Sequence, residues 1–145
     1  MREIIFRGKE KPGVEWAEGY IQILPSGEVH IVYTDKEFCS STMCSRCVDP
    51  ESVCQYTGLT DKNGRKIYEG DIVRDHFDAS VMGIVRYGEY RSVFNDDAFT
   101  GHVGFYIEWQ KRKDVLRKDL GYWARNSEFI GNIFDNPELL EETAE

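Results

Sequence analysis

Between Gln55 and Val73 the chain reads Gln-Tyr-Thr-Gly-Leu-Thr-Asp-Lys-Asn-Gly-Arg-Lys-Ile-Tyr-Glu-Gly-Asp-Ile-Val. Two reversals sit close together in this stretch. Asp61-Lys62-Asn63-Gly64 ends in Asn-Gly, the dipeptide that best tolerates the positive φ of a tight hairpin turn. Gly70-Asp71 is a second corner that leads into an apolar run. Chain that must turn twice within so few residues has room only for short strands, so this segment commits its neighbourhood to β-structure.

The surrounding pattern agrees. Val103, Phe105, Ile107 and Trp109 alternate with Gly104, Tyr106 and Glu108, which is the period-two signature of a strand with one buried face. Arg2 to Arg7 reads as a first strand. Glu15 to Leu24 and Glu28 to Tyr33 read as a hairpin joined by Pro25-Ser26-Gly27. Further strands are expected at Lys66 to Tyr68, Asp71 to Asp75, Val81 to Tyr87, Tyr90 to Phe94 and Glu128 to Phe134. Lys111 to Leu120 reads as a short helix or a charged edge. Asn136-Pro137-Glu138 reads as a helix start, with Asn as cap, Pro at the first position and Glu at the positive dipole end.

Residues 34–53 lose periodicity and hold Cys39, Cys44 and Cys47. They are expected to be an irregular connection with one helical turn begun by Asp49-Pro50. The whole predicts an all-β protein: a small SH3-like barrel core at 54–135, additional N-terminal antiparallel strands at 1–33, and a short acidic helical tail at 136–145, all in a single domain 1–145.

Composition bounds the function classes. The 145 residues are 41% hydrophobic and 13% aromatic, enough for a core without staples. The net charge of −8 opposes non-specific binding to nucleic acid. Local charge is uneven: Lys111, Arg112, Lys113, Arg117 and Lys118 form a basic run. No segment approaches the roughly 18 to 20 apolar residues of a membrane span, and the first residues lack a signal-peptide apolar run. A cytoplasmic protein with reduced thiols is expected, without a membrane partner.

Several blocks occurring in one order carry a resemblance. These are Met1-Arg-Glu-Ile-Ile-Phe-Arg-Gly-Lys9, Trp16 with Gly19-Tyr20, Val53-Cys-Gln-Tyr-Thr-Gly-Leu59, Ile67-Tyr-Glu-Gly-Asp-Ile-Val73, and Phe129-Ile-Gly-Asn-Ile-Phe-Asp-Asn-Pro-Glu-Leu139. Together they resemble the YopX family and span nearly the whole chain. The resemblance implies a phage or prophage protein in a bacterial host cell, an all-β fold with a barrel core, and a tendency to form homo-oligomers. It implies no biochemical activity and so no catalytic residues.

Three constellations of residues could carry chemistry or binding. Cys39, Cys44, Cys47 and Cys54 are spaced C-x4-C-x2-C-x6-C. Cys44-Ser-Arg-Cys47 offers one zinc knuckle, and the other two thiols would have to complete a structural tetrahedron; the alternative is a set of unligated thiols with Cys54 as a small buried hydrophobe. Glu69, Asp71, Asp75 and Asp78 with His76 are the raw material of a divalent-metal hydrolase, against ordinary turn chemistry at a barrel corner. The basic run near Trp109, Tyr122 and Trp123 suits single-stranded nucleic acid on a small barrel, against a charged edge that blocks sheet association. His30, His76 and His102 follow no nucleophile motif. The reading that results is a non-enzymatic phage accessory protein that needs no cofactor and binds a protein: a host or phage partner, or further copies of itself.

Overall fold

A computed structural model describes residues 2–10, 13, 15–34, 43–91, 101–111 and 118–141. The chain divides into two compact units, Met1–Tyr56 and Thr57–Glu145.

In the first unit the strands are β1 (Phe6–Lys9), β2 (Trp16–Ile23), β3 (Val29–Thr34) and β4 (Met43–Val48). They lie side by side in the order β4-β3-β2-β1, each pair antiparallel. The next strand, β5 (Cys54–Thr60), begins here, pairing Cys54 and Gln55 with Arg7 and Phe6. The Pro25-Ser26-Gly27 turn forms as its residues dictate, closed by Gly27 N–H donating to Leu24 C=O at 2.9 Å. Ala17, Val29, Ile31 and Val48 make the buried cluster, with Phe6, Ile21 and Val53 packed on it. Alternation places His30 and Val32 on the opposite face, as the sequence requires.

Strand β4 corrects the expectation of an irregular 34–53. Met-Cys-Ser-Arg-Cys-Val has weak β-propensity and no clear alternation, yet it pairs with β3 in six consecutive register positions, from Val29↔Val48 to Thr34↔Met43. Its conformation is set by the neighbour's free edge rather than by its own residues. The expected Asp49-Pro50 turn does form: residues Pro50–Ser52 make a short 3-10 helix, and the Asp49 side chain accepts from Glu51 N–H at 3.1 Å. The first strand also starts later than expected, at Phe6 rather than Arg2.

The second unit holds the end of β5, then β6 (Lys66–Tyr68), β7 (Asp71–Arg74), β8 (Met82–Tyr90), β9 (His102–Trp109), α1 (Leu120–Ala124), β10 (Phe129–Asn132) and α2 (Glu138–Glu141). β6 neighbours β5, and the remaining strands form a four-stranded antiparallel sheet in the order β10-β7-β8-β9. Trp109, Ile107, Val85, Val73, Ile67, Phe129 and the α1 residues Leu120 and Trp123 lie in one buried cluster. Gly64, at φ +80°, supplies the left-handed residue of the Asn-Gly turn. The Asp61 carboxylate accepts from the N–H groups of Asn63 and Arg65 at 2.9 and 3.0 Å, which fixes the loop.

The fold is thus mostly β, as expected, but the described strands form open sheets and no closed barrel. A hairpin signal specifies a turn and two strands; whether a sheet closes on itself depends on long-range pairing that local pattern does not carry. Tyr90 belongs to the end of β8 rather than to a strand of its own, and Phe94 lies outside the described residues. The helix of the tail begins where Asn136-Pro137 predicted, with Leu139 and Leu140 half-buried. Among the described residues no helix is long and apolar enough to cross a membrane.

Candidate functional site

The three constellations come apart when placed in the fold. Cys44 and Cys47 are both on β4, and an odd separation on a strand sends them to opposite faces. Cys44 sits opposite Tyr33, on the side of Val48 and Ile31; Cys47 sits opposite His30, on the other side. The C-x2-C spacing therefore does not form a knuckle, because a knuckle needs a turn and this segment is extended. Cys54 is buried, and its thiol donates to Ser52 C=O at 3.3 Å. Cys39 lies outside the described residues. None of Cys44, Cys47 and Cys54 is disulfide-bonded.

The carboxylates from 69 to 78 are held by turns. Asp71 is buried and accepts from Tyr68 N–H at 2.8 Å. Asp75, also buried, accepts from Phe77 N–H at 3.2 Å. Asp78 accepts from both the N–H and the hydroxyl of Ser80, at 3.0 and 2.6 Å. Glu69 is half-buried in the corner before Gly70. The imidazole of His76 stacks on Trp123 with ring centroids 6.0 Å apart and meets the Ser127 hydroxyl at 3.2 Å. Ser127 is fully buried, so this contact is not an accessible nucleophile with its base.

Of the basic run, Lys111 and Lys118 are described; Arg112, Lys113 and Arg117 lie outside the described residues. Lys118 lines a pocket of about 180 Å³ with Tyr90, Tyr106, Trp109, Glu89 and Glu108. The two carboxylates beside those rings oppose a phosphate there.

The feature that the sequence did not single out is the length of the β8–β9 pair. These strands stay in register from Gly83↔Trp109 to Tyr90↔His102, whereas β7 pairs with β8 only from Ile72↔Ile84 to Arg74↔Met82. Residues 86–90 of β8 and their partners on β9 therefore run past the end of β7; Tyr106, the partner of Arg86, also bridges Asp119, and beyond it the pair is, among the described residues, a two-stranded ribbon. Along one face the stripe that is core at Val85 and Ile107 continues outward through Phe105 and Tyr87 to Val103. Val85 and Ile107 are fully buried, Tyr87 is 58% exposed and Val103 72% exposed. Tyr87 and Phe105 meet edge to face at 5.0 Å. On the other face Tyr90 stacks on Tyr106 at 5.2 Å and tilts against His102 at 5.5 Å, and the Arg86 guanidinium stands 3.5 Å from the Glu108 carboxylate. Rings packed in pairs on a ribbon give rigid contact area with little side-chain entropy left to lose on binding.

Burial, and then the carboxylate of Asp119, raise the Tyr90 phenol above its ordinary 10.0. The folded protein thus keeps this proton to a higher pH than the unfolded chain does. Stability from this group is intact below 10.0 and declines as pH climbs through the folded value. Tyr90→Phe is expected to shrink the alkaline loss of stability, measured as the difference in urea midpoint between neutral and strongly alkaline buffer.

The family described as YopX protein matches residues 6–141 of this sequence. The chain belongs to the YopX family. The crystal structure of protein EF1440 from Enterococcus faecalis superimposes on this YopX-family chain with a TM-score of 0.48 at 22% identity, covering 97% of this chain and 99% of that one. No curated protein matches the sequence.

Proposed function

We propose that this YopX-family chain is a protein-binding module without chemistry of its own, and that it acts by associating with further copies of itself through the β8–β9 ribbon. The observation that carries the reading is the apolar stripe of Phe105, Tyr87 and Val103, which continues the core outward onto an exposed face. An exposed contiguous apolar stripe on a small acidic protein costs solubility unless something covers it. Aromatic residues flanked by a hydrogen-bonding rim are the usual anchors of such contacts. We place it in a bacterium carrying a phage or prophage, as the family resemblance implies, with the module serving as a cytoplasmic accessory protein.

Sedimentation equilibrium over a wide concentration range tests this. The wild type is expected to self-associate, and Tyr87→Ser with Val103→Glu to weaken association by about 100-fold, the loss of two anchor residues. Phe77→Ser removes a ring that is 92% exposed elsewhere and should leave association unchanged. A wild-type chain that stays monomeric at every concentration defeats the reading.

A further inference from the structure

Cys47 lies directly opposite His30 in the β3–β4 register. Glu28 precedes His30 by two residues and shares its side of the sheet. One donor atom from each of Glu28, His30 and Cys47 falls within 4.8 Å of the other two, and the Glu28 carboxylate lies 2.9 Å from His30 Nε2. We infer that Glu28, His30 and Cys47 form a binding site for a divalent transition-metal ion of the zinc type.

The donor set defines the ion. A thiolate and an imidazole disfavour magnesium and calcium, which demand oxygen, and suit borderline ions such as zinc. With bonds of about 2.0 to 2.3 Å in a tetrahedron, neighbouring ligand atoms stand about 3.3 to 3.8 Å apart. Three donors already within 4.8 Å need only small side-chain rotations to reach that spacing. Charge balances as well: one carboxylate and one thiolate neutralise a doubly charged cation, and the thiol proton leaves to solvent as the ion binds.

Location supports the same assignment. Two of the ligands are on paired strands whose register is fixed over six positions, so the sheet pre-organises the site. His30 and Cys47 are half-buried and Glu28 is exposed, which leaves one side open for a fourth ligand from water or a partner molecule. The Glu28 carboxylate already meets the His30 ring, at 2.9 Å. The nearby guanidinium of Arg46 is on the other face of β4, engaged with Tyr33 and Glu10, and does not compete for this carboxylate.

The test titrates the full chain, stripped with chelator, with Co²⁺ as a spectroscopic probe and then displaces it with Zn²⁺. One equivalent of cobalt is expected to give a near-ultraviolet thiolate charge-transfer band and tetrahedral visible absorption, both erased by zinc. Cys47→Ser should abolish the charge-transfer band. His30→Ala and Glu28→Gln should each weaken binding by at least about 10-fold. Cys44→Ser, on the opposite face of the same strand, and Cys54→Ser should leave the titration unchanged. Absence of the band in the wild type overturns the site. So does its loss in Cys44→Ser or Cys54→Ser, which would assign the metal to a four-thiolate set instead.

Discussion

Trp109→Ala is expected to destabilise the second unit by about 3 to 5 kcal/mol, the range for emptying a large buried aromatic site. Trp109 is 1% exposed and meets Trp123 edge to face at 4.9 Å. Space for it is created on the neighbouring strand by a missing side chain. A Cβ at Gly83 would stand 2.3 Å from Ile107 Cγ2 and 2.9 Å from a ring atom of Trp109. Trp109 and Gly83 are register partners, and the Trp109 ring and the Ile107 side chain together occupy the space that a Cβ there would take. Since a domain is stable by only about 5 to 15 kcal/mol, the alanine variant would lose a large fraction of its folded margin. Urea denaturation followed by circular dichroism measures the loss, and Trp109→Phe should recover part of it. A loss below about 1 kcal/mol, a surface-like value, would show that this ring does not anchor the core.

Gly19→Ala is the second large effect, in the first unit. A Cβ at Gly19 would stand 2.2 Å from the Val32 carbonyl oxygen and 3.0 Å from its carbon. Both are backbone atoms of β3, so no side-chain rotation relieves the clash, and β2 and β3 must separate locally. A cost of about 1 to 3 kcal/mol or more follows from such overpacking. Gly104→Ala is the matched comparison, since nothing lies within 4 Å of the added carbon and the site is an ordinary strand position. Its effect should stay within about 0.5 kcal/mol. Equal tolerance of the two substitutions, read by thermal and urea unfolding, would contradict the close approach of β2 to Val32.

Much of the fold was legible because it is local. The Pro25-Ser26-Gly27 and Asn63-Gly64 turns form where the residues that tolerate them occur, and the alternation of Val103 to Trp109 marks the strand that carries the core tryptophan. Strand β4 was hidden because Cys, Ser and Arg at its centre carry no periodic signal, and only pairing with β3 makes it a strand. The same blindness to register concealed the candidate sites. His30 and Cys47 are adjacent through a pairing that no spacing motif encodes, while Cys44 and Cys47, which a motif does join, face apart. The ribbon was missed for a related reason: each of its strands was readable, but how far they outrun β7 depends on where three strands end together.

The opposed cysteines have a practical consequence. Because Cys44 and Cys47 flank a single stretch of β4 from opposite sides, their relative alkylation rates form an internal two-sided gauge of the first unit. A molecule that shields the His30 side should slow labelling of Cys47 alone, and loosening of the side that carries Ile31 and Val48 should speed labelling of Cys44 alone. Peptide mass mapping of one modified protein would then say which side of the sheet has been covered or opened, with no introduced probe.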